Sequence, residues 1–426
     1  MTRTVDTDRE PWWRGRTRQQ WNVFAAAFLG WALDVMDLII FSMVIGYVIK
    51  EFNSDRGMAG LAASFALVAS AAGGLLFGLL ADRIGRKKSM VLSILTYSIG
   101  TVLCGLSTSM GMLMAFRIVV GIGVGGEWGA GAALVTETWP AKVRGRVMAW
   151  VQSAFAVGYA LAAIVVAIFA PTLGWRWAFF FGVLPALLTL WVRRHTDESE
   201  AWEKAEKLTV RQAFAKLFAT GYAKPFFICL AFTTAAMLGY WGLFTWIPNY
   251  LGTPVAEGGR GMDLIGSTLW IVIMQVGAWF GFISFGYVAD RIGRRKTFIA
   301  YFVIAAVCVP IFINLQNPVL VMIFAVIMAL FGTGFYSGFG PTFAELFPTE
   351  VRAFAQGFIY NGARAISATA PAIVGFASAR FGVGGALTIT AAFYLLAAII
   401  VFFWLPETKD RELTEVGHDP AESRQG

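Results

Sequence analysis

Charge is scarce in this sequence: 14% of its 426 residues are Asp, Glu, Lys or Arg, where a soluble globular chain carries about 25%. Histidine is scarcer still. The two present, His195 and His418, lie in polar segments, so a histidine-built metal site is not expected, nor any metal or cofactor. Three cysteines, Cys104, Cys229 and Cys308, all sit inside apolar runs and read as small buried hydrophobes, not as a disulfide framework. No N-x-[ST] sequon occurs, which fits a bacterial chain. A nucleophile–base motif, a phosphate loop and a metal-ligand cluster are all missing, so an enzyme is not expected. The first 20 residues are polar and the first apolar run is long enough to span a membrane, so no cleavable signal peptide is expected.

What is abundant is apolar surface. Hydrophobic residues make up 58% of the chain, spread along its whole length, with 46 glycines and 16 tryptophans. Small residues let membrane helices approach closely, and tryptophan favours the membrane–water interface. The apolar runs give twelve spans, near 21–48, 57–80, 89–107, 110–136, 147–170, 175–192, 225–250, 264–288, 297–314, 318–341, 354–378 and 383–405. The formal charge of +8 follows this topology. Five of the 34 lysines and arginines fall in one set of loops (Lys50, Arg56, Arg176, Arg260, Arg380) and two, Arg117 and Arg364, within spans. The rest fall in the N-terminus, the alternate loops and the C-tail, which places both termini in the cytoplasm by the positive-inside rule. Nucleic acid is therefore not the expected partner of this basic chain. The lipid bilayer is, in a multi-pass bacterial inner-membrane protein that works as a monomer.

The chain repeats itself. Residues 78–88 read GLLADRIGRKK and residues 286–296 read GYVADRIGRRK, with eight of eleven positions identical at an offset of 208. The same offset aligns ETWPAKVRGR at 137–146 with ELFPTEVRAF at 345–354, matching Glu137 with Glu345 and Arg144 with Arg352. Two unrelated motifs sharing one offset imply two halves of one plan. The expected organisation is a cytoplasmic N-terminus (1–20), a six-helix bundle (21–192), a polar linker (193–223), a second six-helix bundle (224–405) and a cytoplasmic tail (406–426). Within the linker, DESEAWEKAEK is expected to form a surface helix.

The paired G-x-x-A-D-R-x-G-R loops, the run from Arg117 to Gly126 (R-x-x-x-G-x-G-x-G-G) and PETKD at 406–410 resemble the major facilitator superfamily. The resemblance covers almost the whole chain. It implies an all-α polytopic fold of twelve transmembrane helices in two pseudo-symmetric six-helix halves, with a substrate site between them at the midplane. It also implies that the two loops, with Asp82, Arg83, Arg86, Asp290, Arg291 and Arg294, latch the halves in one of two alternating states. Glu137 with Arg144, and Glu345 with Arg352, look similar to the family's cytoplasmic salt-bridge network, as gate residues and not as substrate ligands. Gly85 and Gly293 permit a tight turn in each loop.

The offset then works as a filter, because charges that the architecture needs should recur in both halves. Asp34 maps to Gly242, Asp37 to Thr245, Arg117 to Ala325, Glu127 to Phe335 and Arg364 to Ala156. All five ionisable groups deepest in the spans are unmatched. Unpaired and charged, they would together cost on the order of 10 kcal/mol, so they must pair, face water or titrate. Arg364, in YNGARAISATAPA, keeps its charge and needs a permanent or a visiting anion. A visiting carboxylate, held bidentately, is the favoured reading, and a pair with an acid of the other half is the alternative. In the carboxylate-transporting branches that this chain resembles, an arginine at this place on helix 11 is tied to anion recognition. Arg117 resembles the family's span-4 arginine of proton or substrate coupling; the second reading, compatible with the first, is a pair with Asp37 or another acid on helix 1. Glu127 lies ten residues further along the same helix, about 15 Å. The D-x-x-D of Asp34 and Asp37 is similar to that of aromatic-acid and sialate proton symporters, which usually carry glycine where this chain has Val35.

Tyr360, Asn361, Trp241, Tyr240, Trp246, Tyr336, Gln152, Ser153 and Gln275 are further candidates to line a cavity, though helix packing is the favoured reading of any single aromatic. The expected function is proton-coupled symport of a small organic anion, such as a monocarboxylate, a sialic or sugar acid, or an aromatic acid. Asp34, Asp37 and Glu127 would serve coupling. A drug/proton antiporter or a sugar facilitator of the same fold is the alternative.

Overall fold

A computed structural model describes residues 13–187, 191, 212, 217–218, 221–347 and 349–409. Every regular element among these residues is helical. The first half comprises α1 (Arg18–Glu51), α2 (Arg56–Ile84), α3 (Arg86–Gly105), α4 (Met110–Thr138), α5 (Ala141–Phe169) and the short α6 (Arg176–Phe180). The second comprises α7 (Ala223–Phe244), α8 (Ile247–Gly252), α9 (Leu264–Ile292), α10 (Arg294–Asn314), α11 (Pro318–Gly334), α12 (Tyr336–Leu346), α13 (Thr349–Ser367), α14 (Ala370–Leu387) and α15 (Ile389–Trp404). Among the described residues ten stretches are long and apolar enough to cross a membrane, and two shorter apolar ones, Arg176–Leu187 and Ile389–Trp404, bring the number to twelve. The fold is the expected one. The linker helix at 197–207 and both histidines lie outside the described residues.

Helix starts follow local chemistry. Thr17 and Gln20 form a reciprocal capping box on α1, while Asp55, Ser109, Asp263 and Asn317 cap α2, α4, α9 and α11 with their side-chain oxygens. The two repeated loops take the same backbone conformation. Gly85 turns at φ 104°, ψ 156° and Gly293 at φ 100°, ψ 156°, a region closed to side-chain-bearing residues. The glycines of α4 let its neighbours approach. A methyl group on Gly121 or Gly125 would strike the backbone oxygens of Ala66 and Ser70 on α2.

The halves meet along two seams, α2 against α13 and α14, and α5 against α9. These are spans 2 with 11 and 5 with 8, which the internal repeat exchanges. The seams therefore reproduce the pseudo-two-fold relation of the sequence. Span 12 parts at Thr388, between α14 and α15, and the three second-half spans that answer spans 1, 4 and 5 are broken as well. Span 7 breaks between α7 and α8 at Thr245–Trp246, span 10 at Phe335, and span 11 at Ala368–Thr369. In the first half α1, α2, α4 and α5 run unbroken.

Candidate functional site

Five charged side chains are buried among the spans, four inside the first half and Arg364 in the second. Asp34 and Asp37 are 0% exposed, Glu127 is 1%, and Arg117 and Arg364 are 2%. The first four come from α1 and α4, which pack together, and Arg364 comes from the last turn of α13. A cation there faces the negative end of the helix dipole, which offsets part of its burial.

Asp34 is the hub. It lies within electrostatic reach of Glu127, Arg364 and Asp37, so the structure brings together charges that the sequence separates by up to 330 residues. Neither oxygen of Asp34, Asp37 or Glu127 has a hydrogen-bond partner among the described residues. A methyl group on Gly30 would collide with Glu127 Oε1, so the missing side chain on α1 makes the room that the Glu127 carboxylate occupies. On α3, Tyr97 faces all three carboxylates, and Thr101 lies beside Asp37. The Tyr97 hydroxyl is likewise buried without a partner.

Arg117 is near Asp37 electrostatically but forms no ion pair with it. Its Nη2 donates to the Leu38 carbonyl at 3.2 Å, and its guanidinium lies 4.8 Å from the Phe41 ring centroid. Both contacts are on α1 and within one helical turn of Asp37. Arg117 is thus held by the aspartate's own helix through backbone and ring. Among the described residues no carboxylate is bonded to Arg364. Its guanidinium sits 5.9 Å from the ring centroid of Trp241, with Tyr336 and Tyr360 in electrostatic reach. The Arg364 Nε and the hydroxyls of Tyr240 and Tyr336 are buried without hydrogen-bond partners. Tyr240 and Tyr336 meet edge to face at 5.3 Å, and Tyr240 meets Phe155 of the first half at 5.7 Å. This site can hold a planar anion between a fixed cation and aromatic walls, with titratable carboxylates opposite.

The remaining candidates divide. Gln152 and Gln275 are buried at 6% and 5% on the α5–α9 seam, with Ser153 fully buried beside Gln152. Ser153 is committed to its own helix, donating to the Trp150 carbonyl at 2.7 Å. Asn361 is also turned toward a seam, since a methyl on Gly74 of α2 would stand 2.5 Å from its Oδ1, while its Nδ2 donates to Gly357 at 2.9 Å. Trp246 is structural at this point, donating its indole N–H to the Pro371 carbonyl at 2.9 Å across the breaks in spans 7 and 11.

At the basic end, the expected partnership of Glu345 with Arg352 does not form. Glu345 accepts from Arg294 at 3.1 Å and from Thr408 at 2.5 Å, while Arg352 Nε donates to the Phe347 carbonyl at 3.1 Å. Arg294 lies at the start of α10 with Asp290 at 2.5 Å, and so reaches Glu345 before Arg352 can. Glu407 accepts the Arg294 backbone N–H at 2.7 Å, and the Lys409 ammonium reaches the Arg291 carbonyl at 3.1 Å, so the PETKD motif closes onto the loop of its own half. Arg83 is exposed. The side chains of Asp82, Arg86, Glu137 and Arg144 lie outside the described residues.

Tyr97 and Thr101 escape the reading of the sequence, which weighs only ionisable groups in the spans. The repeat filter applied to hydroxyls would find them, because their counterparts are Ala305 and Val309. Tyr159 escapes it too. Its hydroxyl donates to the Phe244 carbonyl at 2.6 Å, from α5 of one half to the end of α7 in the other.

Comparison with known proteins places this geometry. The profile of the Major Facilitator Superfamily matches residues 23–281 and 258–424. The sialic acid transporter NanX of Escherichia coli is 32% identical over 410 residues, covering 93% of this chain and 96% of that protein. The cis,cis-muconate transport protein of Acinetobacter baylyi is 30% identical over 397 residues, covering 91% and 95%. Among solved structures, the E. coli xylose transporter in a partially occluded inward-open conformation superposes with a TM-score of 0.72 at 18% identity, covering 93% of this chain and 100% of the other. A D-xylose–proton symporter superposes with a TM-score of 0.76 at 21% identity, covering 92% and 99%.

Proposed function

The chain belongs to the Major Facilitator Superfamily of multi-pass membrane transporters, and from that premise we propose that it is a proton-coupled symporter of a small organic anion. Arg364 carries the reading. It is a buried cation that, among the described residues, has no bonded carboxylate, and its neighbours are an indole face and partnerless tyrosine hydroxyls. Its guanidinium cannot shed its proton, so a carboxylate cargo supplies the missing charge, held as a bidentate pair. Tyr336, Tyr360, Trp241, Asn361, Gln152 and Gln275 shape the rest of the site. The cargo is a monocarboxylate, a sialic or sugar acid, or an aromatic acid. Two relatives named for acids, sialic acid and muconate, support this class.

Moving an anion into an inside-negative cell costs about 2.3 kcal/mol per charge per 100 mV, which a co-transported proton offsets. Asp34, Asp37 and Glu127 are the candidates to carry it, because each is a fully buried carboxylate with no ion pair among the described residues, Thr101 being the one hydroxyl beside Asp37. A proton on Asp34 removes the negative charge facing Arg364 and frees that cation's field for the cargo. Arg117, tethered to α1 beside Asp37, reports the state of that aspartate through its own position. The two basic loops act as the latch at the cytoplasmic end, with both termini on that side of a bacterial inner membrane and the six-helix units at 21–192 and 224–405 rocking as monomeric halves. A cationic drug would meet Arg364 as a like charge, which disfavours the antiporter reading.

The test is a calorimetric titration of nicotinate, cis,cis-muconate, N-acetylneuraminate and lactate into purified protein. One of these acids should bind, and Arg364→Gln should weaken it by at least about 30-fold, as removal of one partner of a buried charge pair costs about 2–5 kcal/mol. Unchanged affinity in the folded variant would sink the role of Arg364.

A further inference from the structure

At the end of the molecule opposite the basic loops lies an open cavity of about 890 Å³. Both halves line it, among others through Lys50 and Arg56 from one side and Asn249, Glu257 and Thr268 from the other. Nearly every charge at this end is spent locally. Arg56 pairs with Glu257 at 2.7 Å. Asp55 caps α2, accepting the Met58 N–H at 2.9 Å, so its charge answers the positive end of that helix. Glu51 takes Arg176 at 2.5 Å and the Trp175 indole at 2.6 Å. Asp263 caps α9, and Arg260 gives its N–H groups to the carbonyls of Phe312, Ile313 and Leu315.

Two cations remain among the described residues, Arg380, exposed 5.5 Å from the ring centroid of its neighbour Phe381 and outside the cavity lining, and Lys50. Lys50 is the one at the cavity. It is exposed, it lines the cavity, and it has neither an ion pair nor a side-chain hydrogen bond among the described residues. Its place is fixed by the hairpin that follows, where Asn53 turns at φ 48° and the Ser54 N–H closes onto the Ile49 carbonyl at 3.0 Å. An ammonium on a flexible stem, at the wall of a cleft with low-dielectric sides, focuses its field into that cleft.

We propose that this cavity is an anion-collecting vestibule and that Lys50 is its encounter site, taking a carboxylate from solution on this face before it passes inward to Arg364. The passage to Arg364 rests on the organic-anion reading given above; the field in the vestibule does not. The vestibule accepts any small carboxylate, and selection follows at the deeper aromatic site.

The experiment measures the field directly. A cysteine is placed in the cavity as Thr268→Cys; Cys104, Cys229 and Cys308 are buried, which spares them. Its rate of modification is compared for a negatively charged sulfonatoethyl and a positively charged trimethylammonioethyl methanethiosulfonate. The ratio of the two rates cancels differences in access. Lys50→Gln should lower the anionic-to-cationic ratio about 2–5-fold in low salt, Lys50→Arg should preserve it, and 1 M salt should erase the difference as the Debye length shrinks to about 3 Å. A ratio unchanged by Lys50→Gln overturns the proposal. So does one that changes equally in 1 M salt, which would mark an altered shape and not a field. Because the reagents report the field whatever the cargo is, an unchanged ratio sinks the vestibule alone. Absence of organic-acid binding in the Arg364 titration sinks the cargo reading alone.

Discussion

In the first half the helices that face the centre run unbroken and carry four of the five buried charges; in the second, three of the corresponding spans are broken and one charge, Arg364, stands among aromatic rings. The contrast separates two tasks. A continuous helix satisfies its own backbone, so α1 and α4 can place carboxylates at fixed positions without other polar demands. A broken helix leaves backbone groups to be satisfied from outside, which makes it movable and dependent on its neighbours. Each of these three breaks is served by an aromatic donor. Trp246 bonds the Pro371 carbonyl at 2.9 Å, Tyr394 the Gly332 carbonyl at 3.0 Å, and Tyr159 the Phe244 carbonyl at 2.6 Å. The first half thus carries the continuous, acid-bearing helices and the second the broken helices around Arg364, which under the proposed symport are the proton side and the cargo side.

The strongest way to break this division is to remove a charge from the proton side. Asp34→Asn keeps the shape and deletes the hub that faces Arg364. Proteoliposomes with an imposed pH gradient should lose concentrative uptake of the cargo, by at least about tenfold, while exchange of labelled for unlabelled cargo persists. Uptake that still responds to the gradient in both Asp34→Asn and Asp37→Asn would assign coupling elsewhere. A smaller effect is expected from Gly30→Val, which intrudes on the Glu127 carboxylate. Overpacking of this kind costs about 1–3 kcal/mol. Gradient-driven uptake should fall severalfold with binding of the cargo to Arg364 retained in calorimetry. Gly78, around which a methyl would find open space, provides the control: Gly78→Ala should leave uptake unchanged.

Much of this division is legible in the sequence. The repeat exposes all five charges, because an offset of 208 sets each beside an uncharged residue. Periodicity and length also give the twelve spans, since the bilayer demands long apolar segments whatever their details. The breaks are not legible. Pro248 and Pro371 stand just past two of them, yet Pro310 and Pro341 sit inside helices that continue. Proline removes a donor in every case, and whether the helix parts depends on who takes the freed carbonyl, which only tertiary packing decides. The expected Glu345–Arg352 pair fails for a related reason. Sequence spacing allows it, but Arg294 arrives from α10 on the same oxygen.

Tyr159 offers the finest test, because its bond joins the two sides of the comparison. In a continuous helix the Phe244 carbonyl would accept from the residue four positions on, but that residue is Pro248, which has no N–H. The first half supplies the donor instead, from a tyrosine 1% exposed. Among the described residues, the other side-chain hydrogen bond across the halves is Arg56 to Glu257, at the cavity rim and open to solvent. Tyr159→Phe removes only an oxygen. Buried hydrogen bonds between membrane helices are worth about 0.6 kcal/mol on average and about 1.7 at most, so the balance between conformations should shift by roughly 3–18-fold, the same energies expressed as a population ratio. The shift should favour parting of α5 from α7, because the carbonyl can then find water. Spin labels on the outer ends of α5 and α8 should show a longer-distance population growing at the expense of the shorter one in Tyr159→Phe, and to a lesser extent in Glu257→Gln, whose ion pair is already screened. An identical distance distribution in Tyr159→Phe would mean that ring packing alone holds the halves together here, and that the break in span 7 is a feature of the second half by itself.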